Sequence, residues 1–204
     1  MHNIGLIDYG MGNIHSVKKA IENLGEKVTF IKNKSQIYSC KALIIPGQGA
    51  FDPAIENLCK TGLIEEIKNW IMNGNPFMGI CLGLQILFEE SEEGNKKGIG
   101  IIKGKIKKIP YFKGQRVPHI GWCNLLPTKE SKLINKDEKS NWVYFDHSFY
   151  ASPKDESLIT ARVDYGPIGI TAIIENENLI ACQFHPEKSG KAGHLILKRW
   201  LKTI

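Results

Sequence analysis

The chain has 204 residues, 42% hydrophobic and 24% charged, with a formal net charge of +6; this length and composition suit one soluble α/β domain with a fair-sized core. The lysines are scattered and form no basic helical stripe interleaved with aromatics, so nucleic acid is not the expected partner. Five cysteines (Cys40, Cys59, Cys81, Cys123, Cys182) show no CxxC pair and no zinc-ligand spacing; with no basic, apolar leader in view, no metal and a reduced, cytoplasmic setting are expected.

Ile4–Asp8 reads as a short buried strand opening into the turn Tyr9-Gly10-Met11-Gly12-Asn13. That turn lacks the third glycine of a dinucleotide site, and no cofactor is expected. A helix follows with Ile14, Val17, Ile21 and Leu24 on one face and Gly25 as its stop. Lys27–Ile31 and Ala42–Ile45 read as strands, the second ended by Pro46-Gly47. Leu63–Met72 is expected as helix, Phe77–Ile80 as strand and Leu82–Glu90 as helix. The run from Asn69 to Phe88 carries no charge and approaches the length of a membrane span. Asn73, Gly74, Asn75, Pro76 and Gln85 would leave broken backbone and amides in lipid, so a strand-to-helix turn is the better reading. From Ile99 to Ile174 short strands and turns dominate, punctuated by prolines. Leu179–Phe184 returns as a core strand and Gly190–Lys202 closes as a helix. The order predicts an open, mostly parallel α/β sheet flanked by helices, with a β-rich layer in the second half, all in one domain over residues 1–204.

Chemistry concentrates at two strand ends, where sites in such sheets gather. Gly79-x-Cys81-x-Gly83 is the cysteine form of a nucleophile elbow, in which a sharp strand-to-helix turn strains the central residue and flanking glycines avoid clashes. The thiol would stand at a helix N-terminus, with the Leu82 amide free for an oxyanion. After the last strand, His185 and Glu187 at i and i+2 of an extended segment would share a side. They would serve as base and orienter. Pro46-Gly47-Gln48-Gly49-Ala50-Phe51 is a loop beside the elbow that can supply a second oxyanion donor. His2, His15 and His194 read as surface residues, and His119 and His147 as structural.

Together, Pro46–Phe51, Gly79–Gln85 and His185–Glu187 resemble the class I glutamine amidotransferases, whose fold is flavodoxin-like. Ile7–Asn13, Val117–Trp122, Trp142–Ser148 and His185–Ser189 are similar to one family among them, the glutaminase subunit of imidazole glycerol phosphate synthase. The resemblance implies a triad of Cys81, His185 and Glu187, with oxyanion donors from Leu82 and the Gln48–Gly49 peptide. It implies a glutamine pocket at Gly47, Gln85 and the backbone of Ser148 and Phe149. Asn13, Trp122, Tyr144 and Lys188 would face a (β/α)8-barrel cyclase in a heterodimer. Gln48, Cys123 and Asp146 depart from residues frequent in that family. The alternatives are a paralogue feeding another synthase and a catalytically silent scaffold subunit.

Overall fold

Leu43 and Ile45 enter one apolar core while Ala42 and Ile44 enter another, so this strand is covered on both faces. The computed structural model describes residues 1–135, 138 and 141–204. The first half runs β1 (Asn3–Ile7), α1 (Ile14–Glu22), β2 (Lys27–Ile31), β3 (Ala42–Ile45), α2 (Phe51–Thr61), α3 (Ile64–Met72), β4 (Phe77–Ile80) and α4 (Leu82–Gln85). Then come β5 (Phe88–Ser91), β6 (Ile102–Lys108), β7 (His119–Asn124), β8 (Leu126–Pro127), β9 (Trp142–His147) and β10 (Phe149–Pro153). The chain ends with β11 (Ile159–Tyr165), β12 (Ile168–Asn176), β13 (Leu179–Cys182) and α5 (Gly190–Leu201).

Eight strands form the main sheet in the order β2-β1-β3-β4-β13-β12-β11-β8. The pairs from β2 to β13 are parallel, and those from β13 to β8 antiparallel. The sheet is thus mixed, as the β-rich second half requires. Val17 and Ile21 of α1 and Ile196, Leu197 and Trp200 of α5 pack on one face. Leu58 of α2 and Ile67 of α3 pack on the other. Two smaller sheets, β10-β6-β5 and the ribbon β7-β9, complete the layers near the carboxyl ends of the parallel strands.

One sequence expectation needs correction, and one helix carried none. The helix predicted over Leu82–Glu90 stops at Gln85, and Phe88–Ser91 becomes β5, paired with β6. A short apolar run fits a buried strand as well as a helix. Here the Ile86 and Phe88 carbonyls accept from the Ile99 and Gly100 amides, so tertiary pairing decides. Conversely, α2 follows directly on the Pro46–Phe51 loop, its buried face formed by Phe51, Ala54, Ile55 and Leu58 at helical spacing. Its first amide is capped from outside, Phe51 N–H donating to Glu93 Oε2 at 2.9 Å.

The elbow depends on close backbone approach. A Cβ on Gly83 would lie 2.0 Å from the Ile45 carbonyl oxygen, and one on Gly47 2.8 Å from the Gly83 amide nitrogen. Backbone on both sides leaves no flexible side chain to yield. Gly83→Ala is therefore expected to cost about 3 kcal/mol or more, lowering Tm by roughly 10 °C in a scanning-calorimetry comparison.

Candidate active site

Strand β4 ends at Ile80, and the next residue, Cys81, has φ 55 and ψ −110. A side chain rarely tolerates such backbone angles outside a functional turn. The turn is held by Cys81 N–H donating to the Cys182 carbonyl at 2.8 Å, a bond across to the neighbouring strand β13. Because α4 is a single turn, its dipole is slight. The anion-binding capacity lies in the amides of Leu82 and Gly83, which open the helix and have no acceptor within it.

The neighbouring parallel strand brings His185 to the elbow. Ile80 is in register with Cys182, so the chain leaving β13 passes the elbow. His185 and Glu187 do meet, with His185 Nδ1 donating to Glu187 Oε1 at 2.8 Å and both side chains sealed from solvent. Their pairing comes from a tight 3₁₀ turn over Pro186–Lys188, whereas the sequence suggested extended alternation. Burial opposes charge on His185, but hydrogen bonding and charge from Cys81 and Glu187 outweigh it and push the imidazole up to about 10. His185 Nε2 faces the sulfur without a well-formed hydrogen bond, a spacing common before substrate draws a site together. The second Glu187 oxygen is also sealed and unpartnered. Cys182 is a different thiol: complete burial, reinforced by the charges of Glu187 and Cys81, holds it protonated.

The base segment is tied to the ribbon. His185 N–H donates to the Tyr144 carbonyl at 2.9 Å, Tyr144 N–H donates to Ser189 Oγ at 2.9 Å, and that hydroxyl donates to the His185 carbonyl at 2.5 Å. The Tyr144 ring meets Trp122 edge-on at 6.0 Å, and Lys188 Nζ lies 6.0 Å above it. Ile120, Trp122 and Trp142 stand exposed on the same ribbon. Trp122 is opposite Tyr144, Trp142 opposite Asn124 and Ile120 opposite Asp146, so this face of the ribbon sets an aromatic and aliphatic patch between two polar corners. Asn13 is exposed and caps α1, its Oδ1 accepting from Ser16 N–H at 3.2 Å.

A cleft of about 340 Å³ opens at Cys81, lined by Gln48, Gly49, Leu82, Gln85, Glu93, Pro118 and residues 146–149. Gly47 lies behind it, buried against Leu82. Tyr9 Oη donates to the Pro46 carbonyl at 2.8 Å and Gly12 packs on Gly47, so the first glycine turn braces the second. Gln48 and Gly49 are exposed, and Gly49 has φ 119, so their peptide is free to turn.

Three polar groups of the site were missed or underrated in the sequence. Glu93 reaches the cleft from a charged stretch that reads as solvated surface; burial holds its carboxyl above the usual range, against the opposing Phe51 bond. Gln183 is fully buried, with Nε2 3.7 Å from Cys81 Sγ. His147 lines the cleft and, with His119, forms a buried hydrogen-bonded pair at 3.1 Å. Burial lowers His119 to about 4 and His147 to about 3, so both are neutral near pH 7. Among the described residues no group of three or more His, Cys, Asp or Glu side chains is arranged to hold a metal ion, and no helix is long and apolar enough to cross a membrane.

A family model described as glutamine amidotransferase class-I matches residues 5–204. The imidazole glycerol phosphate synthase subunit HisH of Prochlorococcus marinus subsp. pastoris is 62% identical over 204 residues, with 100% of each chain covered. The protein of that name from a Synechococcus species is 48% identical over 202 residues, covering 99% of this chain and 95% of its own. Among solved structures, PurLQS from Thermotoga maritima superposes with a TM-score of 0.76 at 19% identity, covering 100% and 99% of the two chains, a likeness of fold.

Proposed function

Since the chain belongs to the class I glutamine amidotransferases, we propose that it is the glutaminase subunit of an imidazole glycerol phosphate synthase, working in the cytoplasm in histidine biosynthesis. One observation carries the reading of the site: a sealed His185–Glu187 pair set against a strained thiol at the mouth of a cleft. The pathway rests on the full-length likeness to proteins named as that subunit.

In this reading residues 1–204 act as one glutaminase domain. The glutamine carboxamide enters the cleft toward Cys81, with its α-ammonium group matched to the Glu93 carboxylate and its α-carboxylate to the backbone of Ser148 and Phe149. The Cys81 sulfur attacks the carboxamide carbon. The resulting oxyanion takes the Leu82 amide and, once the Gln48–Gly49 peptide has turned, a second loop amide. His185 passes its proton to the departing nitrogen, leaving a glutamyl thioester and ammonia. The neutral imidazole then takes a proton from water, which attacks the thioester and releases glutamate and the thiol. Glu187 holds the ring's orientation throughout.

Ammonia is consumed elsewhere, by a (β/α)8-barrel cyclase subunit docked in a heterodimer on the ribbon face. On that face Trp122 and Trp142 are exposed and Tyr144 and Lys188 half-buried in the isolated chain, and Asn13 is exposed as well. The bonds from Tyr144 to His185 give docking a direct route to the base.

Ammonia release from glutamine, by the chain alone and with the cyclase subunit and its nucleotide ligand, tests the reading. Slow basal release and stimulation of about a hundredfold by the complex are expected. Equal release without the partner would overturn the coupling, and no release under either condition would leave only a scaffold.

A further inference from the structure

Beside the triad, Gln183 is a buried carboxamide whose orientation is settled by its neighbours. The oxygen and nitrogen of a glutamine amide are assigned from the surrounding hydrogen bonds, and here they leave one choice. The Phe149 carbonyl can only accept, and Gln85 Nε2 lies 3.0 Å from it, so that atom is the NH₂. The same nitrogen lies 3.2 Å from Gln183, which must turn its Oε1 toward it. The Gln183 NH₂ is thereby left facing the Cys81 sulfur at 3.7 Å.

A second chain ends on the same carbonyl. His147 Nδ1 lies 2.8 Å from Phe149 O and must donate, so its Nε2 accepts from His119 Nδ1 at 3.1 Å. His119 Nε2 then accepts from the Cys123 thiol at 3.2 Å. Phe149 O is thus a fixed point, doubly bonded, that sets the polarity of every member. Through Gln85 and Gln183 it ties the wall of the cleft to the nucleophile.

We propose that Gln183 is a positioning residue for Cys81, its N–H holding the sulfur where it attacks the carboxamide carbon. An N–H donor meets the sulfur best when the sulfur is negative, the form that attacks. The carbonyl-to-carboxamide chain keeps that donor in place while the substrate-side backbone at Phe149 is engaged. The inference rests on Cys81 being the glutaminase nucleophile.

Gln183→Glu separates this role from a structural one. The carboxylate keeps an oxygen for Gln85 but loses the N–H and brings a negative charge to the sulfur, so the same slowing of alkylation is required of Gln183→Met, which loses the N–H and adds no charge. In the full-length chain, alkylation of Cys81 by iodoacetamide, located by peptide mass spectrometry, is expected to slow by about 10- to 100-fold. In the complex with the cyclase subunit, kcat for glutamine hydrolysis falls by a like factor while KM stays within about threefold of wild type. Gln183→Met loses both contacts and is expected to raise KM as well, because Gln85, which lines the cleft, loses one of its two partners. Unchanged alkylation and kcat in Gln183→Glu would overturn the assignment. If that variant does not fold, Gln183→Met decides on alkylation alone, slowed rates supporting the role and unchanged rates overturning it. A wild-type chain inert toward both iodoacetamide at Cys81 and glutamine would instead overturn the glutaminase reading beneath it.

Discussion

Replacing Cys81 with alanine is expected to lower ammonia release from glutamine by at least about 10,000-fold, to the background of the assay. In the proposed mechanism the sulfur forms the covalent bond, and neither the Leu82 amide nor His185 substitutes for it. Alanine keeps the Cβ, so the strained backbone at φ 55 and its bond to the Cys182 carbonyl are retained. Tm should therefore move by no more than about 3 °C. In the complex, product formation driven by added ammonium salt should persist, since that route bypasses the thiol. Measuring glutamate formation and ammonium-driven turnover on one preparation separates loss of the nucleophile from loss of the fold. Residual hydrolysis above about 1% of wild type would assign attack to another group.

His185→Gln is expected to lower kcat by about 1,000-fold, the scale of a lost acid–base group. Glutamine still offers Glu187 a hydrogen-bond donor, so the sealed carboxylate keeps a partner. The substitution also removes a pH dependence of stability. In the folded chain His185 titrates near 10, above its ordinary 6.5, because its bonds and charges with Cys81 and Glu187 overcome burial. The folded state binds that proton more tightly, so the stabilisation is complete below about 6.5 and lost as pH rises through about 10. Wild type should thus lose Tm across that window in a way His185→Gln does not. Parallel melting curves from pH 6 to pH 10.5 would refute the coupling of the base to its two partners.

Much of the architecture was legible because buried parallel strands announce themselves as short apolar runs. Lys27–Ile31, Ala42–Ile45 and Phe77–Ile80 have the bounds read from the sequence. Leu82–Glu90 misled because its apolar pattern suits either conformation, and only the distant partner β6 selects the strand. Helix α2 has the spacing of a buried face, but the reading stopped at the Pro46–Phe51 loop and assigned no element to residues 52–62. At the site, Cys81, His185 and Glu187 were legible because their roles demand particular neighbours at short spacing. Gln183 and Glu93 were not, since each acts across long sequence separations: Gln183 on Cys81 and Gln85, Glu93 on Phe51. His119 and His147 read as structural, yet His147 lines the cleft and the pair supports the Phe149 carbonyl, itself a wall of it.

Strand β13 lies between β4 and β12, and it joins the four strands of the first half to the three antiparallel strands of the second. In chain order it is the thirteenth strand among the described residues, and His185, Glu187 and α5 come after it. Roughly 100 residues separate it from the nucleophile, so a ribosome adding about 5–20 residues per second exposes Cys81 for several seconds or more before its base exists. A nascent chain in that interval holds a divided sheet and an unassisted thiol. Closure of the sheet and arrival of His185 are one event, so a polypeptide terminated anywhere before β13 is left both unfinished and chemically silent.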